Sequence, residues 1–254
     1  MMSSHIKFIR PKLLNGDTVS SWFSLRNQEL VHPESTIPGL NLGLNTEDAE
    51  EIILENREQL LDEIGLDAHQ IAYAVQVHKT HVEEVKRGGT YPNTDGFVTT
   101  EKDLALAIQV ADCAALLFAD PVNKVIGAAH AGWRGAAGNI VPKTINKMIS
   151  LGAEIDLVKT YVSPCISLKN FEVGEEVAQQ FPDSFVDRVN YNKPHVDLKE
   201  FLRWQLLEMG MMESKIELNT ECTIDNPKFY SHRRQREDSG RMMAIIKLKQ
   251  ATDS

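Results

Sequence analysis

The sequence predicts an α+β fold in a single domain that spans residues 1–254. Segments with the features of β-strands outnumber segments with the features of helices, and the strands come in runs. One-by-one alternation with helices would instead be typical of a parallel βαβ fold, so runs of strands favour the α+β class. No repeat, low-complexity segment or flexible linker divides the 254 residues, a length that one large domain can fill.

The first half of the chain begins with a loop and a helix. Residues 31–45 contain two prolines and two glycines, which predicts a loop. Thr46 is the predicted N-cap of the helix that follows. The apolar residues of this helix recur at helical spacing, and Gly65 is its natural stop. Short apolar runs between turn residues then predict strands. These strands lie at 71–77, 96–99, 104–110, 114–118, 125–129, 157–162, 216–220 and 243–248.

The second half carries the remaining predicted helices, at 139–151, 173–181 and 197–209. Asp197 and Gly210 have the residue types of a helix cap and a helix stop for the last of them. The central strands are apolar on both faces, and this pattern indicates a sheet that is covered on both sides. Helices are therefore expected to pack on the strands of the central region.

The overall charge limits the classes of function. The chain has 42% hydrophobic residues and a formal net charge of −9. Broad nucleic-acid binding and attachment to a membrane surface need a basic face, so neither is expected. The longest apolar stretch, at 104–119, is interrupted by Gln109 and Asp112 and is too short to span a bilayer. The amino-terminal residues have no apolar core of signal-peptide length, so we expect a cytoplasmic protein.

Three residues that can ligate a metal each stand at the end of a predicted strand. They are His78, Cys113 and His130. Strand ends are where a rigid scaffold presents functional side chains, and the spacing from Cys113 to His130 suits two adjacent strands joined by a turn. The competing interpretation is a buried structural thiol with two core histidines. The chain has only three cysteines, too few for a disulfide framework, so free thiols are expected.

A thiolate with two imidazoles is a good set of zinc ligands. Three protein ligands with a fourth position left open is the arrangement of a catalytic zinc site. Sulfur and nitrogen ligands also suit copper, so the residue types alone do not name the metal. Asp95 and Asp112 are the nearest carboxylates in the sequence, and either can orient a ligand or accept a proton. Asp112 directly precedes Cys113, and neighbouring residues on a strand point to opposite faces, so a supporting or structural role is favoured for Asp112.

Two further segments have the composition of anion-binding sites. At residues 130–138 (HAGWRGAAG), small residues before a predicted helix let backbone N–H groups approach an anion, and Arg134 can pair with a phosphate or carboxylate. At residues 229–236 (FYSHRRQR), His232 and Arg233 can belong to a basic, aromatic-lined wall of a pocket. The alternatives are a tight turn with a surface arginine and an exposed charged loop.

Eight segments that cover nearly the whole chain form one larger pattern. They are LNLGLN (40–45), ENR (55–57), QVHKTHV (76–82), TDGFVTT (94–100), VADCAALLFAD (110–120), IGAAHAGWRGAAGNIV (126–141), SPCISLKNFEVGEEV (163–177) and FYSHRR with SGRMMAIIKL (229–248). In this order they resemble the YfiH-type or laccase-domain family, also called multicopper polyphenol oxidases, whose members include purine nucleoside phosphorylases. The pair ADC and HAGWRG is the most specific part of the match.

The resemblance implies a four-layer α/β/β/α fold with mixed β-sheets. It implies a catalytic metal, usually taken as zinc, on His78, Cys113 and His130. The implied reactions are phosphorolysis of adenosine, inosine, guanosine and methylthioadenosine, with adenosine deamination as a second activity, so a nucleoside and phosphate are the expected partners. Arg134, with the basic segment that contains His232 and Arg233, is then expected to hold phosphate. Asn41, on a loop over the pocket, is expected to hydrogen-bond substrate.

Other classes of function stay open at this point. A copper-dependent polyphenol oxidase is one, although eight histidines without a His-x-His pair are few for a multicopper centre. The zinc deaminase signature H-x-E with P-C-x-x-C is absent from the sequence, so any deamination needs a different arrangement. A metal-free hydrolase or amidase that acts on cell-wall precursors through Cys113 and His130 is another. The last is a non-catalytic protein that the metal stabilises.

Overall fold

A computed structural model describes residues 5–250 of the chain. Within this range the helices are α1 (Glu50–Ile64), α2 (Trp133–Ala137), α3 (Ile140–Ser150), α4 (Glu175–Ala178), α5 (Leu198–Glu208) and α6 (His232–Gln235). The strands are β1 (Phe8–Ile9), β2 (Val19–Ser24), β3 (Ile71–Ala74), β4 (Val82–Glu84), β5 (Gly89–Tyr91), β6 (Gly96–Thr99), β7 (Ala105–Val110), β8 (Ala114–Asp120), β9 (Val125–Ala131), β10 (Lys159–Val162), β11 (Val186–Asp187), β12 (His195–Val196), β13 (Ile216–Leu218) and β14 (Met242–Leu248).

The strands of residues 5–250 form two six-stranded mixed sheets and one short ribbon. The first sheet has the order β1-β2-β14-β7-β3-β5, and the second has the order β13-β10-β8-β9-β6-β4. Strand β3 pairs in parallel with β5 and β7, while β14 pairs antiparallel with β2 and β7. In the second sheet β8 is antiparallel to β9 and β10. Strands β11 and β12 form the ribbon.

Alternating side chains on the central strands build the layers. On β8, Leu117 points into the core between the two sheets, while Leu116 and Phe118 point to the outer side of the second sheet, where they pack in one cluster with residues of α3 and α5. On β7, Leu106 and Ile108 point between the sheets, and the alternating Ala105 and Ala107 pack towards α1. Side chains that alternate in this way bury both faces of a strand. The predicted four-layer α/β/β/α architecture in the α+β class is confirmed.

The element boundaries differ from the sequence prediction in two helices. Helix α1 ends at Gly65, whose φ of 68° fits glycine, as predicted. It begins later than predicted, because the Thr46 hydroxyl donates to the Gly43 carbonyl and accepts from the Asn41 amide, so Thr46 closes a loop instead of capping a helix. The helix predicted at 173–181 shrinks to α4, because Val173 donates its N–H to Pro194 and stays extended.

The strand β2 is absent from the sequence prediction because its sequence VSSWFS contains three serines. Two of them form hydrogen bonds inside the protein: the Ser24 hydroxyl accepts from the N–H of Met243, and the Ser21 hydroxyl donates to the carbonyl of Leu14. Within residues 5–250, no helix is long and apolar enough to cross a membrane.

Candidate metal centre and substrate cavity

The three predicted ligands meet at one end of the space between the sheets. Cys113 immediately precedes β8, His130 lies near the end of β9 opposite Ala115, and His78 lies in the loop after β3 with a φ of 57°. Their potential ligand atoms all lie within 4.8 Å of one another. The rings of His78 and His130 meet edge to face, with centroids 4.7 Å apart. The structure thus brings the predicted trio together, and metal binding by it stays a prediction.

Asp95 fixes the geometry of this trio. One carboxylate oxygen accepts from the Nδ1 of His130 at 2.9 Å and from the N–H of His78 at 3.0 Å. The other accepts from the N–H groups of Lys79 at 2.8 Å and Val77 at 3.3 Å. A proton on Nδ1 of His130 leaves its Nε2 free as a ligand. The carboxylate also stabilises the left-handed backbone at His78, so it positions two members of the trio.

The electrostatics of the pocket favour the charged form of the thiol. Burial alone would raise the pKa of Cys113, but the charge of His130 and hydrogen bonds from both histidines outweigh it, so the pKa lies well below its ordinary value. For His130, burial opposes the charged form, yet Cys113 and Asp95 raise the pKa. The two shifts run in opposite directions, and each favours the charged form of its side chain. A thiolate is also the form of cysteine that ligates metal.

The space around the trio fits a metal ion. Gly132 stands beside all three ligands, and a Cβ atom there would lie 2.9 Å from the Sγ of Cys113 and 3.2 Å from the Cδ2 of His78. The absence of this Cβ leaves room next to the donor atoms. Within the described range 5–250, this trio is the single group of three or more His, Cys, Asp or Glu side chains close enough to hold a metal. One thiolate and two imidazoles match zinc or a single copper.

The trio lies in the wall of a cavity of about 530 Å³. This volume falls within the range of small-molecule sites. Among the described residues, the lining contains one carboxylate, Asp112, and four arginines: Arg57, Arg134, Arg233 and Arg241. Apolar side chains, including Tyr73, Val110, Ile166, Phe171 and Leu198, cover other parts of the wall. In a chain of net charge −9, this local excess of positive charge favours an anionic ligand beside an apolar one.

The predicted basic residues reach this cavity in different ways. Arg134 is exposed and lies over the ring of Trp133, with 4.3 Å between its Cζ and the ring centroid. Arg233 lines the cavity and donates to the carbonyl of Glu172, and His232 lies next to it on α6. Both segments with the composition of anion-binding sites therefore contribute side chains to the same cavity. Their contact with substrate stays a prediction.

Asp112 lines the cavity, and both of its carboxylate oxygens are hydrogen-bonded within the chain. One of its oxygens accepts from the hydroxyl of Thr223 at 2.7 Å, and the other accepts from the backbone N–H of Arg233 at 2.6 Å. It thereby ties the start of α6 to the strand that leads into Cys113. The buried Cys165 and the neighbouring Cys222 are free thiols that lie outside the cavity lining.

Asn41 is fully buried and has no atom on the cavity wall. Its amide donates to Thr46 and Asp48, and its oxygen accepts from the N–H groups of Gly43 and Arg241. The expectation that Asn41 hydrogen-bonds substrate from a loop over the pocket therefore does not match its position in the structure. Its hydrogen bonds hold the backbone of Arg241, which does line the cavity.

Two lining arginines, Arg57 and Arg241, were missed as site residues by the sequence analysis. Both lie inside segments that carry the family resemblance, ENR (55–57) and SGRMMAIIKL. Arg57 falls on a predicted helix and Arg241 directly before a predicted strand, and both positions are ordinary for surface arginines. Only the assembled fold shows that both side chains reach the cavity.

A family model described as multi-copper polyphenol oxidoreductase laccase matches residues 21–249. The chain belongs to this laccase-like YfiH family. The match covers the whole of the trio, Asp95 and the cavity wall.

Individual YfiH-family proteins support the assignment. A purine nucleoside phosphorylase of Deinococcus radiodurans is 37% identical over 83% of this chain and 82% of its own length. The purine nucleoside phosphorylase YlmD of Bacillus subtilis is 30% identical, over 93% of this chain and 91% of its own. The crystal structure of YlmD from Geobacillus stearothermophilus superposes with a TM-score of 0.87 at 26% identity, over 98% of each chain. The YfiH fold therefore extends over essentially the whole length of this protein.

Proposed function

We propose that the protein is a metal-dependent purine nucleoside phosphorylase that acts on adenosine, inosine, guanosine and methylthioadenosine. The observation that carries the proposal is the opening of the His78, Cys113 and His130 trio into a cavity with both an apolar wall and an arginine-rich wall. The names of the curated relatives support the same reaction. Nucleosides and phosphate are small molecules of the cell interior, and free thiols are typical of that reducing compartment, so we place the activity in the cytoplasm.

In phosphorolysis, an oxygen of inorganic phosphate attacks the ribose C1′ while the bond from C1′ to the purine nitrogen breaks. Arginine side chains of the lining hold the phosphate and balance its charge, and the two that do so are assigned in the next subsection. The apolar side chains near Phe171 and Ile166 bind the faces of the purine and keep water away from the reacting carbon. A zinc ion on the trio would supply a Lewis acid to this site. Asp95 keeps Nε2 of His130 available by holding the proton on Nδ1.

We include adenosine deamination as a second reaction of the same cavity. It requires water instead of phosphate as the attacking group, at purine C6 instead of ribose C1′; the bond from C6 to the amino group breaks, and the products are inosine and ammonia. Zinc is proposed over a multicopper centre, because the described part of the chain has a single three-residue ligand group. The metal content of the purified protein separates one zinc from one copper.

A second candidate is a cysteine hydrolase or amidase, and one specific observation favours it. Cys113 contacts His130, and His130 contacts Asp95, which is the arrangement of a nucleophile, a base and an orienting carboxylate. The third ligand, His78, and the space beside Gly132 are not needed for such a triad, so the metal site remains favoured. A thiol hydrolase would keep its activity in a chelator and lose it on alkylation of Cys113.

The test is product analysis with adenosine, with and without phosphate, alongside metal analysis. Phosphate-dependent release of adenine and ribose 1-phosphate, with about one zinc per chain, is the expected result. Cys113→Ala should lose both metal and turnover, while Cys165→Ala, which removes a buried thiol outside the cavity lining, should keep both. Turnover that survives in Cys113→Ala would refute the proposal.

A further inference from the structure

Arg57 is a buried cation with unused hydrogen-bonding capacity at the cavity. The side chain is only 6% exposed, although it lines the cavity. Its Nε donates to the carbonyl of Leu42 at 3.0 Å, and its guanidinium lies 4.4 Å from the centroid of the Tyr73 ring. Among residues 5–250, no acceptor lies within hydrogen-bonding distance of its buried Nη2. Buried donors in folded proteins are nearly always paired, so this group calls for an acceptor from outside the chain.

Arg241 lines the same side of the cavity. It lies two residues before Met243 of β14, and Met243 packs in one cluster with Leu60 and Leu61 of α1, the helix that carries Arg57. One of its terminal nitrogens, Nη1, is used on the carbonyls of Ser239 and Gly240. The guanidinium of Arg241 therefore has further donors for a ligand, and its Nη1 contacts fix where they lie.

A single stretch of backbone holds both arginines. Leu42 accepts from the Nε of Arg57 and donates its N–H to the carbonyl of Arg241. Asn41 accepts from the N–H of Arg241. At Gly43, a Cβ atom would lie 2.3 Å from the Cγ of Arg241, so only glycine lets that side chain pass. The segments LNLGLN, ENR and SGR, which are far apart in the sequence, therefore converge on one structure that presents two guanidinium groups.

We propose that Arg57 and Arg241 form the subsite for the inorganic phosphate that enters the reaction. The proposal rests on the proposed function and replaces the expectation that Arg134 and the segment 229–236 hold this phosphate. Planar guanidinium groups match the oxygens of a tetrahedral anion, and two of them supply the donors that a dianion needs. Arg134, in contrast, is exposed on α2 and packs on Trp133 at the cavity surface.

The test compares arginine-to-lysine variants, which keep the charge and lose the planar fork. Initial rates are measured against phosphate concentration at saturating adenosine in Arg57→Lys, Arg241→Lys and Gly43→Ala. Each should raise the KM for phosphate by about tenfold or more, the loss expected for a hydrogen bond to a charged group, while the KM for adenosine stays unchanged. Arg10→Lys is the matched control, because Arg10 lies 4.8 Å from the ring of Trp22, outside the cavity lining.

A second measurement tests phosphate binding at the subsite independently of the phosphorylase reaction. Phosphorus NMR of inorganic phosphate with the wild-type protein, without nucleoside, should show saturable binding that weakens in Arg57→Lys and Arg241→Lys. If no nucleoside is cleaved but this pattern appears, the proposed function fails and the subsite stands. If nucleosides are cleaved and both arginine variants bind phosphate as the wild type does, the subsite is refuted. A rise in the phosphate KM in Arg134→Lys alone would refute it as well.

Discussion

Replacing Asp95 with asparagine tests how the metal centre is positioned. Each carboxylate oxygen of Asp95 accepts from two donors: His130 and His78 on one side, Lys79 and Val77 on the other. An amide in either orientation therefore turns its NH₂ group towards donors. If the NH₂ faces His130, the ring must accept at Nδ1 and carry its proton on Nε2, the nitrogen that the metal needs. If the NH₂ faces the backbone, the loop of His78 is released.

The expected cost follows from this exchange. Loss of a carboxylate that orients a histidine ligand lowers metal affinity by about 10- to 100-fold, or about 1.4–2.7 kcal/mol. The assay is competition for zinc between the purified protein and a chromophoric chelator, with unfolding in urea measured in parallel. The matched control is Asp120→Asn. Asp120 is also fully buried and accepts from three backbone N–H groups, those of Val122, Asn123 and Glu154, but has no histidine partner.

Both variants should lose stability, and only Asp95→Asn should lose zinc affinity. If Asp95→Asn binds zinc as tightly as the wild type does while its stability falls as in Asp120→Asn, the carboxylate is merely structural. In that case Asp95 does not set the tautomer of His130.

Two further predictions concern the neighbourhood of the trio and the loop behind the arginines. Gly132→Ala should lower zinc affinity by about tenfold or more, because the new Cβ would lie 2.9 Å from the Sγ of Cys113. Gly16→Ala is the control, since the space around Gly16 is open. Zinc competition measures both variants, and equal affinities would contradict the inference that Gly132 leaves room for the metal. For Asp48, burial opposes the charged form, but hydrogen bonds from Asn41, Ser35 and Thr36 outweigh it and hold the pKa below its usual range. The carboxylate therefore stabilises the fold above the unfolded pKa near 4, and this contribution is lost as the pH falls through the lower folded pKa. Asp48→Asn should lower the free energy of unfolding by about 1–3 kcal/mol at pH 7 and by progressively less below about pH 4. Urea unfolding at a series of pH values measures this difference. A cost that stays constant with pH would contradict this assignment.

The strands that position the site could be predicted because their sequences are simple. Strands β7, β8 and β9 are apolar on both faces, and each lies between two layers, so sequence pattern and environment agree. Strand β2 was not predicted because its three serines make the segment polar, and the partner of one of them, the N–H of Met243 for Ser24, is far away in sequence. The start of α1 was misplaced for a similar reason, since Thr46 had a partner in the preceding loop.

The trio could be predicted as a set because its residue types are rare and each stands at the end of a predicted strand. The arginine wall could not, because a helical arginine such as Arg57 has the same pattern as a solvated one. The position of this wall depends on Leu42, which accepts a hydrogen bond from Arg57, and on Gly43, which lies against the side chain of Arg241, and tertiary packing sets both contacts. Asn41 shows the opposite error: a polar residue in a glycine-rich loop suggested a ligand contact, whereas its hydrogen bonds all serve the chain itself.

The most direct test of the central claim is the phosphate dependence of nucleoside cleavage by the zinc-loaded protein. Adenosine is incubated with the purified protein with and without phosphate, before and after removal of zinc by a chelator and after its restoration, and the products are separated by chromatography. We predict adenine and ribose 1-phosphate only when zinc and phosphate are both present, with inosine as a separate product that needs zinc alone. Cleavage that persists after chelation, or no product from any purine nucleoside at full zinc occupancy, would contradict the account.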